Sequence, residues 1–235
     1  MPQHDVVESG AWLDARKALL QKEKEFTRAR DALSAARRDL PWQKVDTDYV
    51  FDGPDGKQTL SDLFAGRSQL LTYHFMFDPT WDEGCKSCSF IADHYDPAVV
   101  HLAQRDVTMV TVSKAPLDKL QAFRKRMGWS FKWVSSFDND FNRDYGVTFS
   151  QNEVDSGSVH YNYADTQFPA TEAPGLSVFY KDDDGQIFHT YSSYGRGLDI
   201  FLTAYNYLDV VPKGRDEAAL PYSMSWIKLH DTYGS

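Results

Sequence analysis

The stretch Gln69-Leu-Leu-Thr-Tyr-His-Phe-Met-Phe77 constrains the rest of the chain more than any other. Its apolar residues do not alternate cleanly with polar ones, so a strand built from it has no face to give to water and must be covered on both sides. A second such run, Val107-Thr-Met-Val-Thr-Val112, follows after a segment predicted to be helical from about Cys85 to Gln104. Two buried strands joined by a helix make a parallel pair with a right-handed crossover, which places the chain in the α/β class.

Further elements extend this unit. Tyr49-Val-Phe51, the turn Asp52-Gly-Pro-Asp-Gly56 and Lys57-Gln-Thr-Leu60 predict a hairpin closed by Gly and Pro. Ser113, Ala115 and Pro116 open a helix expected to run through Met127 and stop at Gly128. Leu176-Ser-Val-Phe-Tyr180, the turn Asp182-Asp-Asp-Gly185 and Gln186-Ile-Phe-His-Thr-Tyr191 predict a second hairpin, followed by a helix around Leu198 to Leu208. Residues 147–173 show no clear periodicity and read as a long loop insertion, a kind of segment that often carries function.

At the start, Trp12, Leu19, Phe26, Leu33 and Leu40 recur every seven positions and predict a helical arm with a narrow apolar seam. Ser9 is its expected cap and Pro41 its end. The seam is expected to be buried against the same chain, with a homodimer as the alternative; Lys22 interrupts the second column formed by Ala15, Ala29 and Ala36. The expected organisation is therefore an arm over 1–40, a main domain over 41–212 and a tail over 213–235.

Charge excludes several classes of function. With 34 acidic against 25 basic side chains among 235 residues, the net charge is -9 and the isoelectric point is near 5.2. Nucleic-acid binding, which needs a basic surface, is not expected. No apolar run approaches the ~20 residues of a membrane span, so no membrane partner is expected either. Residues 1–10 have neither a basic nor an apolar leader region, and the expected location is cytoplasmic.

The chemistry centres on the two cysteines, in Gly84-Cys85-Lys-Ser-Cys88-Ser89, between a buried strand and a helix. A spacing of three lets two sulfurs meet across one helical turn, while the free N–H groups at the helix start favour a thiolate. Lys86 adds a nearby cation, and Trp81 is a candidate for shaping the surface beside Cys85. The set suits thiol-disulfide exchange, with Cys85 attacking and Cys88 resolving. A zinc site would need four ligands, and beyond Cys85, Cys88 and His94 there is no second cysteine pair. Neither a metal nor another cofactor is expected. His74 and His189 fall in strands and read as hydrogen-bonded core imidazoles. Asp78, Asp82 and Glu83 lie near the dithiol in sequence, where their charge would oppose a thiolate. In Ala173-Pro-Gly-Leu-Ser-Val-Phe179 a proline immediately precedes a strand, and a cis bond there would turn the backbone toward the dithiol.

With strand, Cys-x-x-Cys, helix and Pro174 in that order, the chain resembles the thioredoxin-like superfamily. Arg16-Lys-Ala-Leu-Leu20, Glu23-Lys24-Glu25, Tyr73-His-Phe-Met-Phe77, Arg126-Met-Gly-Trp129, Phe141-Asn142, Gly175-Leu-Ser-Val-Phe179, His189-Thr-Tyr-Ser192 and Tyr205-Asn-Tyr-Leu-Asp209 further resemble the blocks of one bacterial family. That family is a domain of unknown function described as predicted dithiol-disulfide oxidoreductases. The resemblance implies a three-layer thioredoxin-like fold with a central mixed sheet beside the N-terminal arm, with Pro174 at the superfamily's cis-proline position. The pair between the cysteines is Lys86-Ser87 and not Gly-Pro, so neither potential nor reductase carries over. The first hairpin and the stretch from Phe141 to Val147 also look like the peroxiredoxin branch. There a hydroxyl residue normally stands three positions before the peroxidatic cysteine, where this chain has Asp82. The expected function is dithiol-disulfide oxidoreduction on a disulfide-containing protein or small-molecule thiol substrate, with a separate recycling reductant. The alternatives are a non-enzymatic redox- or metal-responsive binding module, or a peroxiredoxin-like peroxidase.

Overall fold

The computed structural model describes residues 4–234, in two compact units divided after Pro41. The first is built on α1 (Ser9–Arg38), whose last turn carries Arg37 and Arg38, cations suited to the negative end of the helix dipole. Glu8 occupies the N-cap without a side-chain cap, and Ser9 is already helical, contrary to expectation. Along α1, Trp12, Leu19, Phe26 and Leu33 are 59%, 51%, 69% and 52% exposed. One large apolar residue every seven positions gives a stripe narrower than the broad face by which a surface helix usually packs.

In the second unit the order is β1 (Gln43–Lys44), β2 (Val50–Gly53), β3 (Gly56–Thr59), α2 (Leu60–Leu63), β4 (Gln69–His74), α3 (Lys86–Tyr95), α4 (Val99–Ala103) and β5 (Val107–Ser113). Then come α5 (Leu117–Arg126), β6 (Lys132–Ser135), α6 (Phe141–Asp144), α7 (Gln151–Asp155), β7 (Val159–Tyr161), β8 (Ala164–Thr166), β9 (Gly175–Lys181), β10 (Ile187–Tyr194) and α8 (Thr203–Leu208). Eight strands form one sheet in the order β1-β10-β9-β4-β5-β6-β2-β3. β4, β5 and β6 run parallel; β9 is antiparallel to β4, and β10 to β9. The inner order β5-β4-β9-β10, with α3 leading from β4 toward β5 and α8 after the hairpin, is the thioredoxin-like arrangement.

Because side chains alternate along a strand, β4 divides its residues between two cores. Leu70 joins Phe51, Leu63, Val110 and Phe141 on one face. Tyr73 and, just past the strand, Phe75 join Ile91, Phe123 and Trp133 on the other. Helices therefore cover both faces, α3, α5 and α8 on one and α2 and α6 on the other, giving three layers.

Several expectations are corrected. The helix expected from Cys85 to Gln104 breaks into α3, a 3-10 turn at Asp96–Ala98 and α4, because Pro97 cannot donate within a continuing helix. α5 starts at Leu117, not Ser113, since β5 runs through Ser113. The 147–173 segment is not structureless. Ser150 and Glu153 form a capping box that starts α7, and Asn162 and Tyr163, at φ 54° and 65°, make the two-residue turn of the β7–β8 hairpin. Val147, Phe149, Val159, Tyr161, Ala173 and Tyr194 give this insertion a small core of its own. The residues after 212 belong to the body, with Ile227 and Leu229 only 3% and 2% exposed.

Candidate active site

The dithiol is delivered by the loop after β4. Cys85 N–H donates to Met76 O at 3.1 Å, turning the chain back on itself. A Cβ on Gly84 would lie 2.7 Å from the Phe75 ring and 2.8 Å from that of Phe123, so only glycine lets this backbone rest on the aromatic pair. The loop is fastened from outside: Lys119 Nζ donates to Pro79 O at 2.8 Å and Trp81 O at 2.7 Å, and Arg126 bridges Glu83 and Asp231.

Cys85 is the N-cap of α3, half-buried, and Cys88 is buried one turn on; both are free thiols. Cys88 N–H donates to Cys85 Sγ at 3.5 Å, and Met76 N–H to Cys88 Sγ at 3.5 Å. The Cys85 thiol is brought down from 9.0 to about 7. Hydrogen bonding from the Cys88 side chain is the largest cause; burial opposes it, and the backbone N–H groups of Cys88 and Ser87 add to it. Lys86 is exposed and is not among these causes. Burial pushes Cys88 well up, and Cys85 adds to the rise; Tyr73 and Met76 N–H oppose it only in part. Tyr73 Oη is fully buried with no partner at hydrogen-bond geometry, and its nearness to Cys88 raises its own pKa beyond what burial alone does.

Pro174 lines the same cavity as Cys85 and Cys88, but its bond is trans, contrary to the expected cis: there is no cis peptide among the described residues. The preceding segment explains this. Phe149 N–H donates to Thr171 O at 2.8 Å and Ala173 N–H to Val147 O at 2.8 Å, around a bridge pairing Thr148 with Glu172. The chain thus enters β9 extended, and the more stable trans form suffices. Tyr161 Oη then clamps two walls of the site, donating to Pro174 O at 2.7 Å and accepting from Gly195 N–H at 2.8 Å. Both cysteines open on a cavity of about 220 Å³ walled by Met76, Ile91, Pro174, Leu198, Leu202 and Met224. The charges at its rim are spent on each other: Asp199 accepts from Arg196 and Arg215, each at 3.0 Å. Trp81 does not line this cavity; it borders a separate one of about 340 Å³ with Asp78 and Thr171.

The other sequence candidates lie elsewhere. His74 Nε2 is 2.9 Å from Ser177 Oγ, which is 2.8 Å from Ser192 Oγ, itself 2.7 Å from His189 Nε2. This chain of hydrogen bonds engages both imidazoles, His74 fully buried and His189 half-buried, and burial holds His74 down at about 4. His94 accepts Ala204 N–H at 3.2 Å, and among the described residues no three or more His, Cys, Asp or Glu are grouped so as to hold a metal ion. Asp78 is committed to Thr80 and Thr171; burial raises its pKa, but those hydrogen bonds outweigh it and leave the group low.

A bacterial protein family of unknown function, DUF899, matches residues 1–233. The chain belongs to this family. No curated protein matches it. Among solved structures it is similar to peroxidoxin BcpB from Mycobacterium tuberculosis, at 14% identity and TM-score 0.46 over 70% of this chain and 94% of that one. It is also similar to a cysteine-to-serine mutant of peroxiredoxin Q from Xanthomonas campestris, at 14% and 0.47 over 72% and 99%. A third likeness is to a protein named thiol:disulfide interchange protein DsbE from Chlorobium tepidum, at 14% and 0.43 over 71% and 98%. No residue's role here rests on these likenesses.

In this DUF899 protein, Cys85, Cys88 and Pro174, all singled out in the sequence, line one cavity, whereas Met224 and Tyr161 were missed. Met224 lies in what reads as a tail, and Tyr161 in what reads as a loop. The apolar residues Met224, Trp226, Ile227 and Leu229 within six positions were the available signal that this end packs. Nothing in the sequence marked Glu172, which is 1% exposed and carries a pKa raised to about 8, burial being the main cause.

Proposed function

We propose that this DUF899 protein is a thiol-disulfide oxidoreductase in which Cys85 attacks and Cys88 resolves. The asymmetry of the two sulfurs carries the reading: one half-exposed with its thiol near neutrality, the other buried and held protonated. Near pH 7 a substantial fraction of Cys85 is thiolate, the nucleophilic form. Its attack on a substrate R–S–S–R′ forms Cys85–S–S–R and expels R′S⁻, which takes up a proton. The charge on Cys85 that raised Cys88 is then gone, while Tyr73 and Met76 N–H remain to support a Cys88 thiolate. Cys88 loses its proton and attacks Cys85 Sγ, releasing RS⁻ and leaving the Cys85–Cys88 disulfide. The dithiol has supplied two electrons, and an external dithiol must restore them.

The test is the Cys88→Ser variant, which should stall after the first step and accumulate mixed disulfides through Cys85, read by intact mass. Cys85→Ser should accumulate none. Equal trapping by both variants, or by neither, would refute the assignment.

A further inference from the structure

We infer that the 147–173 insertion restricts the substrate to a low-molecular-weight disulfide that seats one apolar group of about phenyl size beside Cys85, and closes the site to an extended polypeptide. This rests on the thiol-disulfide reading above. An extended chain docks by adding a strand to an open backbone edge, which supplies its main-chain hydrogen bonds. Beside Cys85 no such edge is left. Thr171 O and Ala173 N–H are already paired with the insertion, and Pro174 has no N–H and gives its carbonyl to Tyr161. Glu172 and Ala173 are each only 1% exposed, so their remaining backbone groups are shut away from a partner.

What the site does offer is the apolar cavity. Beside the two sulfurs, Ser87 and Gly195, its walls are aliphatic or thioether side chains and the proline ring, and the charged pair at its rim, Arg196 and Asp199, is joined at 3.0 Å. Its volume of about 220 Å³ exceeds the ~150 Å³ that takes a benzene ring, and falls short of the ~300 Å³ at which pockets for whole drug-sized ligands begin. One ring with a methylene or two fits, and the other half of the disulfide stays outside as the leaving thiolate. The sulfur bonded to the apolar group receives Cys85, forming the mixed disulfide; Cys88 then displaces that group as its thiolate, which is protonated and leaves the cavity.

The experiment uses the full chain, reduced and freed of reductant, in single-turnover thiol release. Three substrates are compared: the mixed disulfide of cysteine with benzyl mercaptan, cystine, and insulin. The benzyl compound should react at least ten-fold faster than either of the others. Met224→Trp, which fills the cavity, should bring the benzyl-to-cystine ratio close to one when each rate is normalised to iodoacetamide alkylation of Cys85. Should that variant fold poorly, Met224→Ala serves in its place and should shift preference from benzyl to the larger naphthylmethyl group. Insulin reacting as fast as the benzyl disulfide, or a benzyl-to-cystine ratio indifferent to the Met224 change, would overturn the inference. Reaction with none of the three while Cys85 still alkylates would overturn the thiol-disulfide reading itself, and the inference with it.

Discussion

Glu172→Gln isolates the energetic effect of burying a carboxyl beside the site. Glu172 accepts from Thr148 Oγ1 at 2.8 Å, and burial, assisted by the nearby charge of Asp78, lifts its pKa from 4.5 to about 8. Below pH 4.5 the group is protonated in both folded and unfolded chains and has no effect on stability. Between 4.5 and 8 the unfolded chain gives up the proton while the folded chain keeps it, so stability falls as pH rises, by ~1.4 kcal/mol per unit. Over the whole window this amounts to at most ~5 kcal/mol. Glutamine keeps the volume and an acceptor for Thr148 but cannot ionise. Urea unfolding at half-unit pH steps should therefore show wild type losing stability relative to Glu172→Gln through the middle of this window, with other titrating groups cancelling in the difference. A constant offset at every pH would mean that Glu172 is charged in the folded protein, and the argument would fail.

Three further outcomes follow from the site and the arm. In Cys88→Ala, loss of the main group that lowers the Cys85 thiol should move the inflection of its alkylation rate upward from about pH 7; an unmoved inflection would assign the lowering to the backbone donors alone. Gly84→Ala forces a methyl into the Phe75–Phe123 contact and should cost about 1–3 kcal/mol, with slower Cys85 alkylation, measured by melting and thiol kinetics together. Phe26→Asp on the exposed seam of α1 should change stability by less than ~0.5 kcal/mol. A sedimentation coefficient that falls in this variant would instead show the seam covered by a second copy.

The sequence carried the sulfurs and the central strands because both depend on local signals. Gln69–Phe77 and Val107–Val112 are apolar over most of their length, which gives covered strands with little freedom of interpretation. The dithiol follows from spacing and position alone. β6 is hard to see because Lys132-Trp-Val-Ser135 is too short to show a period, and the expected helix from Cys85 to Gln104 is too long because Pro97 breaks it. The insertion read as loop because its order comes from pairings 24 residues apart, such as Thr148 with Glu172, which no window on the sequence sees. The cis bond expected at Pro174 fails for the same reason: Val147 O, accepting from Ala173 N–H, and Phe149 N–H, donating to Thr171 O, fix the approach to that proline.

The place of Met224 in the cavity wall also has a consequence for the order in which the protein is made. It lies 136 residues after Cys88, so at ~5 to 20 residues per second the ribosome supplies this wall roughly 7 to 27 seconds after the second cysteine. During that interval the chain already carries both cysteines but not the residue that completes the wall beside them. On the thiol-disulfide reading proposed above, an oxidant met in that interval would take two electrons from the pair and close the disulfide, and reduction would have to precede that molecule's first turnover.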